Sequence, residues 1–193
     1  MMSSTTNVLL AGVGGQGTIF AGKVLSSLLL GQGMDVKMSE VHGMAQRGGS
    51  VVTHVRYGQR VLAPTITPGQ ADFMLAFEQM EALRMSHWLA PVGVIVANTR
   101  RIPSLPILIG AERYPEDVPE RLAQKGLAVH WIDAFATACE LGSARVENTV
   151  LLGAFSTVLP FAEGVWIQAI SSTSPAVAVD LNIKAFIAGR KLM

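Results

Sequence analysis

Cysteine is nearly missing from this chain: Cys139 is the single one in 193 residues. That excludes an internal disulfide, and it excludes a self-contained iron–sulfur cluster, which normally takes four thiolates. Cys139 falls in a helix expected over Asp133 to Leu141, where a buried, inert thiol is the expectation. Charge is also scarce, at 15% of residues and a net +1, against roughly 25% in an average soluble protein. No Lys/Arg cluster interleaved with aromatics occurs, so nucleic acid is not an expected partner. The four histidines, His42, His54, His87 and His130, lie in separate segments without metal-ligand spacing, and no metal site is expected. Long hydrophobic runs are absent too. Val8 to Val13 is short and ends in glycines, and Met1 to Thr6 has no basic residue. Neither a secretory signal nor a membrane span is implied, and a cytoplasmic chain is expected.

Hydrophobic residues make up 50% of the chain, and no repeat, linker or low-complexity tail divides it. A length of this order suits one domain, residues 1–193, with a real core. An exterior with so few solvating groups is expected to face a partner in part; a well-buried α/β core under a sparsely charged surface is the other reading.

The order of elements points to an α/β fold. Asn7 to Ala11 is β-prone and enters the cluster Gly12 to Gly17, after which Ile19, Ala21, Val24, Leu25, Leu28 and Leu29 recur at helical spacing. Asp35 to Ser39 alternates as a second strand, closing a βαβ unit. Ser50 to Arg56 alternates Val51, Thr53 and Val55, and Tyr57-Gly58-Gln59 reads as a turn into Arg60 to Ala63, a hairpin. Further strands are expected at Asp72 to Phe77, Val92 to Ala97 and Leu127 to Ile132. A helix bearing Met80, Leu83 and Trp88 follows the first of these, and prolines 103, 106, 115 and 119 mark a stretch that is mostly loop. Helices near Asn148 to Leu159, Trp166 to Ser171 and Asp180 to Lys191 complete a three-layer α/β/α sandwich, Rossmann-like, around a mostly parallel, mixed sheet.

Two loops concentrate the chemistry. Gly12, Gly14 and Gly17 satisfy G-x-G-x-x-G, a spacing that turns the chain sharply and lets an anion approach the backbone. Glu40 lies about twenty residues on, where a dinucleotide fold carries its ribose acid. Compact strand–helix packing explains the same glycines equally well. Lys23 is too deep in the helix for a Walker motif, so ATP hydrolysis is disfavoured, and no G-x-S-x-G elbow makes any serine a nucleophile. The second loop, Glu40-Val41-His42-Gly43-Met44-Ala45-Gln46-Arg47-Gly48-Gly49-Ser50, gathers an acid, an imidazole, an amide and a guanidinium. Arg47 is suited to fork onto a carboxylate or phosphate, Gly48 and Gly49 to bring N–H groups to the same anion, and Ser50 to add a hydroxyl. A Glu40–Arg47 pair that only fixes a surface loop is the alternative.

The run Val8-Leu9-Leu10-Ala11-Gly12-Val13-Gly14-Gly15-Gln16-Gly17, together with Ser39 to Val51, closely resembles the γ subunit or γ domain of 2-oxoacid:ferredoxin (acceptor) oxidoreductases. Asn182, Ala185, Phe186 and Gly189 are similar to that family's terminal N-x-x-A-F-x-x-G, so the resemblance spans most of the chain, although Ala63 to Thr149 matches mainly in layout. The complete E-V-H-G-M-A-Q-R-G-G-S run resembles the small, separately encoded subunit of the indolepyruvate branch. The resemblance implies a part in thiamine-diphosphate-dependent oxidative decarboxylation of a 2-oxoacid, an aryl pyruvate in that branch, with CoA taking the acyl group and ferredoxin two electrons. It places thiamine diphosphate, magnesium and the iron–sulfur clusters on a large catalytic partner, with no cofactor and no catalytic residue on this chain alone. A heterotetramer of two large and two small chains is implied, and the isolated chain is expected to self-associate through the same apolar surface. The residues expected to meet substrate, CoA or the partner are Gly12, Gly14, Gly15, Gln16, Gly17, Glu40, His42, Met44, Gln46, Arg47, Gly48, Gly49 and Ser50. Two other readings stay open: a stand-alone enzyme or binding protein using NAD or FAD at Gly12 to Gly17 and Glu40, and a scaffold whose loops touch no substrate.

Overall fold

The computed structural model describes residues 5–42, 49–103 and 105–193, apart from the side chains of His42, Leu105 and Pro106. Six strands form one sheet: β1 (Thr6–Val13), β2 (Asp35–His42), β3 (Ser50–Gly58), β4 (Ala71–Ala76), β5 (Leu89–Asn98) and β6 (Ala128–Ile132). Their order is β2-β3-β1-β4-β5-β6. β4, β5 and β6 continue parallel from β1, whereas β3 is antiparallel to both of its neighbours. Alternation along β1 sends Val8 and Leu10 to one core and Leu9 to the other.

The helices divide unequally. α1 (Thr18–Gly31), α5 (Ala134–Glu140), α6 (Glu147–Phe155), α7 (Glu163–Thr173) and α8 (Val179–Arg190) bury the larger core, with Phe155, Trp166 and Phe186 fully enclosed. The other face is thinner. It is covered by α2 (Gln79–Arg84), α4 (Val118–Gln124) and Ile66 from the connection between β3 and β4. A short helix, α3 (Leu105–Leu108), precedes α4. The sandwich is therefore the one expected, with a mixed sheet.

The hairpin is not. Arg60 to Ala63 forms no strand, and β3 pairs instead with β2 and β1. Asp35 accepts the N–H of Val61 at 2.7 Å, and the Arg56 guanidinium donates to the carbonyls of Ala63 and Thr65 at 2.9 and 3.1 Å. With Pro64 and Pro68 removing donors, this segment is held as a strap across the thin face rather than a ladder. β1 and β2 consequently flank β3 rather than each other, so the expected βαβ unit has an antiparallel strand inserted in it.

Cys139 is a second correction, for it is exposed. α5 buries Ala134 and Ala138, and the next residue points about 100° away round the helix. α4 was not expected either; Pro119 opens its first turn, where a missing N–H costs nothing. The terminal Asn182, Ala185, Phe186 and Gly189 are all buried. Asn182 accepts the Thr149 hydroxyl at 2.8 Å and so pins α8 to α6.

Candidate functional site

The carboxyl end of the sheet collects the polar chemistry. β1 ends at Val13, and the chain turns through Gly14 to Gly17 into α1. β3 begins beside it, Ser50 opposite Val13, and the Gly14 N–H donates to the Gly49 carbonyl at 2.9 Å. The glycine loop therefore meets the carboxyl-terminal foot of the second loop, at Gly49 and Ser50. Met44, Gln46, Arg47 and Gly48 lie outside the described residues, as does the side chain of His42.

Gln16 closes the glycine loop on itself. Its Oε1 accepts the Val13 N–H at 2.7 Å, and its Nε2 donates to the Phe77 carbonyl at 2.8 Å. Gly17, at φ 81°, faces α6 so closely that a Cβ there would stand 2.3 Å from Asn148 Nδ2. Left-handed φ and this approach together demand glycine. Glu40 sits on β2, which β3 separates from the strand entering the glycine loop. The ribose-acid geometry of a dinucleotide fold needs those strands adjacent, so the NAD or FAD reading loses its basis.

A cleft of about 330 Å³ opens beside the loop, lined by Val13 to Gln16, Arg100, Ile102, Ala144, Arg145, Glu147 and Asn148. Arg100, just past β5, lays its guanidinium over the Phe135 ring at 3.7 Å, an arrangement that holds the cation without a carboxylate directly upon it. Arg145 enters from the turn Ala144–Val146. Glu147 accepts from Asn98 Nδ2 at 2.6 Å, while Asn98 Oδ1 is buried without a partner among the described residues. Burial pushes the Glu147 carboxyl above the usual range, against the pull of Asn98 and Arg100, and nearby Asp133 adds to the rise. Arg100 and Arg145 make this a place for an anion, while the N–H groups of Val13, Gly14 and Gln16 are committed within the loops.

Two acids, the cap of α2 and a residue of its first turn, are buried. Glu78 caps α2 by accepting the Glu81 N–H at 3.0 Å, and it also takes the Ile102 N–H at 3.0 Å and the Tyr114 hydroxyl. Glu81 takes the Ser50 hydroxyl and the Arg84 guanidinium, each at 2.6 Å. Burial pushes the Glu81 carboxyl up, with Ser50 and Arg84 pulling back and Glu78 adding to the rise. The Ser50 hydroxyl proton is thus donated inward, to Glu81. Arg100, Arg145, Glu147 and Glu81 escaped sequence reasoning; the one usable signal was that Glu78 directly follows, and Arg100 lies three residues beyond, an apolar, β-prone run, where parallel sheets place ligands.

Of the other histidines, His54 is buried, accepting the Ile66 N–H and packing edge-on to Trp88, while His87 and His130 are exposed. Among the described residues no His/Cys/Asp/Glu group is arranged to hold a metal, and no helix is long and apolar enough to cross a membrane.

A family model described as pyruvate ferredoxin/flavodoxin oxidoreductase matches residues 7–192. The indolepyruvate oxidoreductase subunit IorB of Pyrococcus horikoshii is 39% identical over 194 residues, covering 96% of this chain and 94% of the relative. The γ subunit of keto/oxoacid ferredoxin oxidoreductase from Geobacter sulfurreducens shares the fold at TM-score 0.72 and 23% identity, over 97% of each chain. A 2-oxoglutarate:ferredoxin oxidoreductase from Magnetococcus marinus, solved with 2-oxoglutarate, coenzyme A and succinyl-CoA, matches at TM-score 0.73 and 22% identity, over 97% of this chain and 31% of that one.

Proposed function

The chain belongs to the pyruvate ferredoxin/flavodoxin oxidoreductase family, and from that premise we propose that it is the small subunit of a 2-oxoacid:ferredoxin oxidoreductase of the indolepyruvate type, a single γ-type domain over residues 1–193. The observation that carries this reading is identity of 39% spread over 96% of the chain and 94% of a relative named as an indolepyruvate oxidoreductase subunit. Thiamine diphosphate, magnesium and the clusters belong, in this reading, to the large cytoplasmic partner. One exposed cysteine suits that division, since a cluster draws on four thiolates. The overall reaction decarboxylates the 2-oxoacid oxidatively, passes the acyl group to CoA and two electrons to ferredoxin.

This chain's own contribution is positional. The cleft between the glycine loop and Arg100, Arg145 and Asn148 has the charge and the depth for an anionic group of CoA or of the 2-oxoacid, presented at the face where the large subunit docks. Arg47, from the sequence between β2 and β3, supplies a further anion anchor in this reading, with His42 and Gln46 as positioning groups and Glu40, Met44 and Ser50 from the same stretch of chain. Arg47→Ala is expected to raise one Michaelis constant about tenfold, the weight of one charge-assisted hydrogen bond. Separate titrations of CoA and of indolepyruvate show which ligand it holds; unchanged kinetics with unchanged assembly removes Arg47 from the site.

Assembly itself tests the reading. A tag on the large subunit should retain this chain through gel filtration at a fixed ratio, the two-plus-two tetramer being the expected species. Elution of the two chains apart, with this one as a homodimer, would contradict it.

A further inference from the structure

We infer that Glu81 is a positioning residue which, through Ser50, fixes the carboxyl foot of the second loop against the glycine loop and so sets the mouth of the cleft. Glu81 is 1% exposed, and a carboxylate buried to that degree is costly unless both oxygens are engaged. They are: Oε1 takes Arg84 and Oε2 takes Ser50, each at 2.6 Å. Helix α2 does not need the acid for its cap, since Glu78 already provides it. An exposed i,i+3 pair with Arg84 would have served the helix alone, at a few tenths of a kcal/mol. Instead the acid faces inward and reaches the first residue of β3.

From Ser50 the connections close into a ring. Ser50 is the partner of Val13 across the β1–β3 ladder, and Gly49 accepts the Gly14 N–H at 2.9 Å. The Val13 N–H is held by Gln16, whose amide donates to the carbonyl of Phe77. Phe77 precedes Glu78, the cap of the helix that carries Glu81. The ring runs from α2 through both loops and back to α2, and the Ser50–Glu81 bond is its one link between two side chains. Removing that link frees Gly49 and Ser50 to move away from Gly14, where the cleft begins.

The positioning role rests on the subunit reading only for its kinetics, so two arms are needed. In the full chain, amide exchange followed by NMR reads Gly14 directly, with Val8 at the centre of β1 reporting global opening. Ser50→Ala and Glu81→Gln should each speed Gly14 exchange about tenfold relative to Val8. A glutamine amide in place of the carboxylate would offer one acceptor to two donors. The double variant should be no worse than the worse single, because one bond is lost either way, and Ser50→Thr, which keeps the hydroxyl, should restore protection. In the co-expressed complex, the same single variants should raise the Michaelis constant for CoA or the 2-oxoacid several-fold while leaving kcat within about twofold. Gly14 exchange that stays unchanged, or that moves only in step with Val8, overturns the tether. A looser Gly14 with unaltered Michaelis constants overturns the positioning role and leaves the subunit reading standing. A large subunit that works fully without this chain overturns the subunit reading, and the kinetic role with it.

Discussion

Alanine at Gly189 is expected to cost this protein about 3 kcal/mol or more, lowering its thermal midpoint by roughly 6–12 °C at about 2–4 °C per kcal/mol for a chain of this size. α8 crosses α6 with backbone against backbone. A Cβ at Gly189 would stand 1.8 Å from the Val150 carbonyl oxygen, and one at Gly153 would stand 2.1 Å from that of Phe186. Neither obstacle is the free end of a side chain that swings aside, so α8 itself must lift. Phe186 and Ala185, both fully buried, would lift with it, and the Thr149–Asn182 hydrogen bond would stretch. Gly164→Ala is the matched control, for nothing lies within 4 Å of a Cβ there, and in helix α7 alanine should be neutral to slightly stabilising. Thermal scans of the two variants separate the close crossing from a general intolerance of alanine. Equal midpoints would show that α6 and α8 are not packed as described.

Arg100→Ala is expected to raise the Michaelis constant for the anionic ligand of the cleft about 10- to 100-fold, corresponding to about 1.5–3 kcal/mol for a charged hydrogen bond. The guanidinium has been placed before any ligand arrives. Phe135 supports its face, and the Arg100 backbone carbonyl accepts the Gln79 N–H at 3.0 Å. Lysine in its place keeps the charge but loses the fork and the stacked plane, so Arg100→Lys should recover only part of the loss. Phe135→Leu should reproduce a smaller version of the same defect by letting the cation wander. The effect belongs in the Michaelis constant for CoA or for the oxoacid, measured one at a time, with the large and small chains still eluting together. Arg100 variants with ordinary kinetics in an intact complex would show that no anion is read in this cleft.

The strands and the larger helices were legible because period-2 and period-3.6 patterns report burial directly. Neighbour relations were not. Alternation in Ser50 to Arg56 suits an antiparallel strand anywhere in the sheet, and nothing in it says that β3 inserts between β1 and β2. The strap over 60–70 misled because Val61 and Leu62 look β-prone, while the contacts that hold it, Asp35 to Val61 and Arg56 to Ala63 and Thr65, join residues 7 to 26 positions apart. Cys139 was misjudged by one helical step, since Ala134 and Ala138 take the inner face.

The site was legible where it is contiguous in sequence. Gly12 to Gly17 and the stretch Glu40 to Ser50 announce themselves, and the geometry joins Gly14 to Gly49. Arg100, Arg145, Glu147 and Asn148 come from the ends of other elements and become a group only when the sheet is assembled. Gln16 illustrates the same limit: its type was noticed, but its service as the brace between Val13 and Phe77 depends on β4 lying beside β1.

This chain is expected to work only inside a larger oxidoreductase. The direct measurement is anaerobic dye reduction dependent on both indolepyruvate and CoA, using the large subunit purified with and without this chain. Activity that requires both chains, and that returns when the separately expressed small chain is added back, is the expected result. Full activity of the large subunit alone would contradict the account.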